Sequence, residues 1–337
     1  MNGNSNTILN VKDLKVHFHL DEGLLKAVDG VDFQVQRQHT LGLVGESGCG
    51  KSVTAQALLR IVPKPGVVEG SIMLQRKNGM DLVDLVQLDA NGAEARGIRG
   101  AEIAMIFQEP MKAFSPVHTI GDQITEGILL HTTQDKREAY AIAVDMLSRV
   151  QMSNPTQRMK DYPHQLSGGM RQRAMIAMAL SCRPSILIAD EPSTALDVTV
   201  QAQVLRLMKD LQRDFGMAMI FITHDMGVIA EVADQVGVMY LGRIVEYASV
   251  DTIFHRPLHP YTQELLRSIP TLRQQPRTRL NSIEGTVPVP LNLSPACGFS
   301  TRCRYCVVGE CDSEVPALVE VEPGHLVRCL PRIIAAL

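Results

Sequence analysis

The chain has 337 residues, 45% of them hydrophobic and 20% charged, with 33 Lys and Arg against 36 Asp and Glu for a formal net charge of -3. This ordinary globular composition excludes a disulfide-stapled miniature and leaves room for one large domain with an appendage, or for two domains. A near-neutral balance provides no general field for nucleic acid, so no nucleic-acid partner is expected.

The segment from Met1 to Asn10 lacks the basic and apolar regions of a signal peptide, and a cytosolic chain is expected. Stretches at Ile8 to Phe18, Ala27 to Val35 and Ser71 to Leu74, separated by turn residues, predict antiparallel strands. Thr40 to Val44 predicts a buried strand that runs into a glycine-rich turn and a helix from about Lys51 to Ile61, the first half of a βαβ unit. From about Ile120 to Met159, apolar residues at helical spacing, among them Ala139, Ile142, Met146, Leu147 and Val150, predict an inserted helical subdomain, placed at about residues 115–180.

Strand and helix signals then alternate. Ile186 to Ala189 and Met217 to Thr223 read as strands, Val198 to Phe215 and Met226 to Ala233 as helices, and Gln235 to Tyr247 as a hairpin. That alternation predicts an α/β fold built on a parallel sheet with helices on both faces. The longest apolar runs, Ala174 to Leu180 and Phe215 to Ile222, fall short of the roughly 20 residues that span a bilayer. After about Tyr261 to Pro270 the chain turns rich in Pro, Arg, Thr and Cys, which places a boundary near residue 270 between a 1–270 domain and a loop-rich 271–337 unit.

Gly45-Glu46-Ser47-Gly48-Cys49-Gly50-Lys51-Ser52, followed by Val53, fits the phosphate-loop pattern between a predicted strand and a predicted helix. Glycines let backbone N–H groups wrap phosphates, the helix start adds partial positive charge, Lys51 neutralises the terminal phosphate oxygens and Ser52 offers a hydroxyl to magnesium. Ile186 to Glu191 is an apolar run ending in two carboxylates. Neighbours on a strand point oppositely, so Asp190 can serve magnesium while Glu191 polarises an attacking water. Leu166-Ser167-Gly168-Gly169 precedes a helical run, an N-cap serine with small residues that again exposes N–H groups.

Together with Thr194-Ala195-Leu196-Asp197 and His224, these motifs stand in the order found in the ATP-binding subunits of ABC transporters, which the sequence resembles from about residue 8 to 250. The resemblance implies a P-loop nucleotide-binding domain with a parallel-sheet core, an antiparallel β subdomain and a helical subdomain, using ATP and Mg2+. It implies that Phe18 stacks on adenine and that Gln108 senses magnesium and contacts the permease. Glu191 becomes the catalytic base, Asp197 an inter-subunit residue and His224 the γ-phosphate switch. Taken alone, Phe18 also reads as a core or edge-strand aromatic and His224 reads better as a satisfied structural histidine; the full motif set reverses the second reading. In this family two subunits pair head to tail, so Ser167, Gly168 and Gly169 of one close over the nucleotide held by the other.

His259-Pro260-Tyr261-Thr262 resembles the C-terminal segment of oligopeptide and dipeptide importer ATPases. The implied role is ATP-driven solute uptake from the cytoplasmic face of the inner membrane, as a peripheral subunit with two transmembrane permease subunits. A second ABC ATPase, related or identical, and an extracytoplasmic solute-binding protein complete the set. A non-transport ABC ATPase and a redox-regulated ATPase module are the alternatives. Five cysteines follow residue 296, and the family spacing matches Cys297, Cys303, Cys311 and Cys329, leaving Cys306 over. Relatives' tails imply a [4Fe-4S] cluster, with Zn2+ as the competing metal. After Gln108 the sequence Glu109-Pro110-Met111-Lys112-Ala113-Phe114-Ser115-Pro116 departs from the family pattern on the side expected to face the permease.

Overall fold

Runs of β-branched and apolar residues alternate with helix formers along the chain, and the computed structural model follows that pattern over residues 6–77, 79, 81–192, 197–269 and 283–335. Its strands are β1 (Thr7–Leu20), β2 (Gly23–Gln36), β3 (Thr40–Val44), β4 (Gly66–Gln75), β5 (Leu82–Asp84), β6 (Ile103–Ile106), β7 (Ile186–Asp190), β8 (Ala218–Thr223), β9 (Gln235–Tyr240), β10 (Arg243–Ser249), β11 (Val319–Glu322) and β12 (His325–Val327). They form a four-stranded sheet in the order β2-β1-β4-β5 and an eight-stranded sheet in the order β11-β12-β10-β9-β3-β8-β7-β6. The small sheet is antiparallel, as the alternation predicts.

Side chains on a strand alternate between faces, and here each face has its own core. Leu41, Leu43, Ile186, Ile188, Ile220 and Ile222 point toward β1 and β2, whose Val11, Val16, Val28 and Phe33 share that core. Leu187, Ala189, Met219 and Phe221 point the other way, into a core with Ile124, Ile128, Met146, Leu147, Met175 and Ile176. Burying each large aliphatic side chain contributes roughly 1.5–3 kcal/mol, so the two layers fix the central strands between them. The second core draws on the helices Ile120–His131, Lys136–Arg149 and Gly168–Leu180, capped by Thr119, Asp135 and Ser167.

The large sheet is mixed. Five strands, β9-β3-β8-β7-β6, run parallel, while β10, β12 and β11 continue antiparallel. The parallel strands are the expected parallel-sheet core, and the β9–β10 pair is the expected hairpin; β11 and β12 add an edge without a counterpart among the predicted elements. Strand β6 has no counterpart among the predicted elements, because four apolar residues carry no readable period. Hydrogen bonding of β12 to β10, with Glu246 opposite Val327 and Tyr247 opposite Leu326, ties the end of the chain to the main sheet. The expected boundary near residue 270 lies within 270–282, outside the described residues. Among the described residues no helix is long and apolar enough to cross a membrane.

Candidate nucleotide site

Strand β3, wholly buried, ends at Val44 and releases the chain into the glycine-rich loop. The turn requires glycine at two places. Gly45 has φ 151° and Gly50 φ 105°, and a Cβ would lie 2.2 Å from the Met239 carbonyl oxygen in the first case and 2.3 Å from that of Ala27 in the second. A side chain at either position would force the loop off the sheet. Helix Lys51–Leu58 then begins. Lys51 is buried, and its Nζ donates to the carbonyls of Gly45 at 2.7 Å and Glu46 at 3.1 Å, so the ammonium sits within the curve of its own loop.

Opposite the helix start, β7 delivers two acids. Ser52 Oγ donates to Asp190 Oδ1 at 3.1 Å. Burial pushes the Asp190 carboxyl above its ordinary value, the Ser52 hydrogen bond opposes this, the Glu191 charge adds to it and Lys51 counters it. A desolvated carboxylate beside a hydroxyl is the oxygen-rich pairing a magnesium ion takes, and a cation there would relieve the unfavourable burial. Glu191 turns in a left-handed conformation, φ 46°, and its N–H donates to the Ile222 carbonyl at 2.9 Å. Its carboxylate accepts from Gln108 Nε2 at 2.8 Å and meets His224 Nδ1 at 3.1 Å. Gln108 follows β6 and His224 follows β8, so three neighbouring parallel strands converge on one carboxylate.

Between these groups lies a cleft of about 500 Å3. Phe18, Leu20, Leu25 and Ala27 line it from the antiparallel sheet, Ser47, Gly48, Gly50, Lys51, Ser52 and Val53 from the loop and helix, and Gln108 and Glu191 from the far side. Phe18 is part of the cleft wall. Gly45, Glu46 and Cys49 do not face the cleft. Cys49 is packed in the core, its thiol pushed up by burial, and Glu46 turns toward the C-terminal region. Pro290 is a cleft residue that the sequence does not announce.

Ser167, Gly168 and Gly169 lie outside the cleft. Ser167 accepts from the Met170 N–H at 3.4 Å as the cap of helix Gly168–Leu180, and both Ser167 and Gly168 are exposed. Asp197 is exposed too and caps helix Val198–Phe215, accepting from the Val200 N–H at 2.9 Å. A Cβ on Gly169 would stand 3.4 Å from Val200 Cγ1, so the two helix starts are neighbours. Thr194, Ala195 and Leu196 lie outside the described residues.

The structure gathers the late cysteines without building a metal site from them. The Cys297 N–H donates to the Cys311 carbonyl at 2.8 Å and the Cys306 N–H to that of Cys303 at 3.1 Å. Burial raises the thiols of Cys297, Cys303 (to about 11), Cys306 and Cys329 (to about 12), and neighbouring sulfurs push each further. Cys311 and Cys329 pack as small apolar groups with Val327 and Ile333. Among the described residues no three His, Cys, Asp or Glu side chains are arranged to hold a metal ion. The expected zinc or iron-sulfur ligand set at Cys297, Cys303, Cys311 and Cys329 is thus not assembled among the described residues.

Comparison with known proteins agrees with this geometry. Residues 28–194 match the ABC transporter family and residues 245–311 the oligopeptide/dipeptide transporter C-terminal region. The chain is 49% identical over 325 residues to the oligopeptide transport ATP-binding protein AppD of Bacillus subtilis, covering 96% of each chain. It is 46% identical over 324 residues to the dipeptide transport ATP-binding protein DppD of the same organism, covering 96% of this chain and 94% of the relative. Among solved structures, the dimeric ABC transporter cassette MJ0796 shares the fold with a TM-score of 0.62 at 22% identity, covering 72% of this chain and 99% of that one.

Proposed function

The chain belongs to the ABC transporter family, and on that premise we propose that it is the ATP-hydrolysing subunit of an importer for oligopeptides, dipeptides or a similar small solute. The observation that carries the catalytic half is the Glu191 carboxylate held between Gln108 and His224 beside the Ser52–Asp190 pair. Support for the solute class comes from AppD and DppD, whose names specify oligopeptide and dipeptide transport.

In this reading Phe18 stacks on the base, and the loop N–H groups from Ser47 to Val53 receive the phosphates. Lys51 leaves its two carbonyls for the phosphate oxygens. Ser52 and Asp190, with Gln108, hold magnesium, which supplies charge neutralisation at the transferred phosphoryl group. Glu191 orients and polarises the attacking water, a task that asks for position more than for basicity. His224 holds the other oxygen of that carboxylate and follows the γ-phosphate.

Ser167, Gly168, Gly169 and Asp197 act across a dimer, which accounts for their standing outside the chain's own cleft with free, exposed helix starts. The second subunit is a related ATPase in the first instance, with a homodimer as the alternative. Two permease subunits bind at the Gln108 segment and a solute-binding protein serves them from outside, so the chain works peripherally on the cytoplasmic membrane face. A division into 1–270 and 271–337 belongs to the same reading.

The metal reading of the tail rests on the gathering of Cys297, Cys303, Cys311 and Cys329 alone, and no step is derived from it. Anaerobically prepared protein with about four irons per chain would support a [4Fe-4S] cluster, and stoichiometric zinc or no metal would overturn it.

Purification of the native assembly from membranes, with its chains identified by mass spectrometry, tests the transporter assignment. Multi-span permeases are expected to copurify; exclusively soluble partners would reject it in favour of a non-transport ATPase.

A further inference from the structure

The loop residue that turns away from the cleft is held from two sides by the C-terminal region. The Glu46 N–H donates to Tyr261 Oη at 2.9 Å. The Glu46 carboxylate is forked by Arg302, Nη1 to Oε2 at 2.7 Å and Nη2 to Oε1 at 3.1 Å. Arg302 is itself fixed. Its side chain is only 3% exposed, its Nη1 reaches Tyr240 Oη at 3.2 Å and its Nε donates to the Glu284 carbonyl at 2.9 Å. Its guanidinium lies over the rings of Tyr240 and Phe299, which pack with Tyr261 at centroid separations of 4.7 to 5.4 Å. A bidentate Arg–carboxylate pair on a rigid aromatic base allows Glu46 little freedom.

The same region meets the cleft at its other end. Phe18 pairs with Leu25 in the small sheet. Leu25 bridges to Leu291, the Lys26 N–H donates to the Pro290 carbonyl at 2.8 Å and the Asn292 N–H to that of Leu24 at 2.9 Å. Segment 290–292 thereby extends the strand beside Phe18, which sets Pro290 in the cleft wall.

We propose that Arg302 is a positioning residue of the nucleotide site: by holding Glu46 it fixes the first turn of the phosphate loop, so the C-terminal region sets nucleotide affinity together with the ATP-binding core. This rests on the nucleotide reading above. A phosphate loop binds through several N–H groups that must point inward together. Its flexible glycines would lose much conformational freedom on binding if nothing fixed them beforehand. With the Glu46 N–H committed to Tyr261 and its carboxylate to Arg302, the loop has one anchored end. The Cys49 N–H closes the turn onto the Glu46 carbonyl at 3.3 Å, and the cleft-lining residues Ser47, Gly48, Gly50, Lys51 and Ser52 offer theirs to a ligand.

The test uses the full chain. Arg302→Met keeps an apolar stem against Tyr240 and Phe299 and removes the fork. We expect its ATP dissociation constant and KM to rise about tenfold, with a smaller change in kcat, because loop order is needed before chemistry begins. Glu46→Gln breaks the pair from the loop side, and the double variant should lose no more than either single one. Arg302→Lys should recover part of the affinity. If Arg302→Met fails to fold, Glu46→Gln decides alone. Unchanged or tighter ATP binding in a folded Arg302→Met or Glu46→Gln chain would overturn the proposal, as would additive losses in the double variant. Lys51→Ala separates the two readings. If it binds ATP as the wild type does, the nucleotide site itself is wrong; if it loses binding while the Arg302 variants keep theirs, only this inference fails.

Discussion

Gln108 donates its amide to the Glu191 carboxylate across 2.8 Å, and His224 approaches the other oxygen of the same group at 3.1 Å. Glu191 is thus oriented by two neighbours, one after each flanking strand of a parallel trio. Replacement by Gln keeps the shape and removes the charge to which the proposed function assigns the polarising of water. ATP binding should persist in Glu191→Gln while turnover falls on the order of 10² to 10⁴-fold, the range of a general base. Steady-state hydrolysis beside equilibrium ATP titration checks this, and sustained wild-type turnover would reject the role.

Lys51 is buried with its ammonium on the carbonyls of Gly45 and Glu46. On the proposed reading, charge-assisted bonds from it to phosphate oxygens would be worth about 1.5–3 kcal/mol, so Lys51→Ala should weaken ATP binding by roughly ten- to a hundredfold. Titration calorimetry reads this directly.

The exposed start of helix Gly168–Leu180 predicts a division of labour between two chains. Glu191→Gln protein should sediment as a dimer with ATP and as a monomer with ADP. Ser167→Arg should abolish that dimer and reduce wild-type hydrolysis roughly tenfold or more, while leaving nucleotide bound in the chain's own cleft. A Ser167→Arg chain that dimerises with ATP and hydrolyses it as before would show that Ser167, Gly168 and Gly169 do not act across the interface.

His259 caps helix Pro260–Arg267, its Nδ1 accepting from the Tyr261 N–H at 3.1 Å, and burial lowers its pKa from 6.5 to about 4. Nearby Glu246 and a hydrogen bond with the Arg328 backbone oppose that shift, and the Arg328 charge adds to it. The folded chain refuses a proton that the unfolded chain accepts. The stability His259 contributes is therefore present above pH 6.5 and is lost as pH falls toward 4, by roughly 3 kcal/mol in all. Thermal melts should show a falling Tm from pH 6.5 to 5 in the wild type and a shallower fall in His259→Asn, whose side chain can still cap without titrating. Parallel slopes in the two proteins would refute this origin.

What could be read from the residues was what is encoded locally. Strand β3, the loop and its helix follow from a buried apolar run, glycines where φ is positive, and a Lys-Ser pair at the helix start. Asp190 at the end of β7 follows from the buried apolar run before it, whereas Glu191 comes after the strand and is set by a left-handed turn. Contacts between distant segments leave no such trace. Glu46 and Arg302 lie 256 positions apart, and neither Pro290 nor Arg302 belongs to any pattern that marks a nucleotide site. The hairpin read at Gln235 to Tyr247 is the antiparallel β9–β10 pair, while the short β11 and β12 escaped for a related reason, being defined by their partner β10 more than by their own period. The cysteine spacing suggested a ligand set, and among the described residues the side chains are not arranged as one.

The most direct test of the central claim is uptake of a labelled oligopeptide by membrane vesicles carrying the copurified assembly, with ATP on the side of this subunit and with either wild-type or Glu191→Gln chain. The account predicts ATP-dependent peptide accumulation in the wild type and none in the variant, although the variant still binds ATP. Equal accumulation in both would contradict it, as would vesicles that hydrolyse ATP and take up no peptide or other small solute.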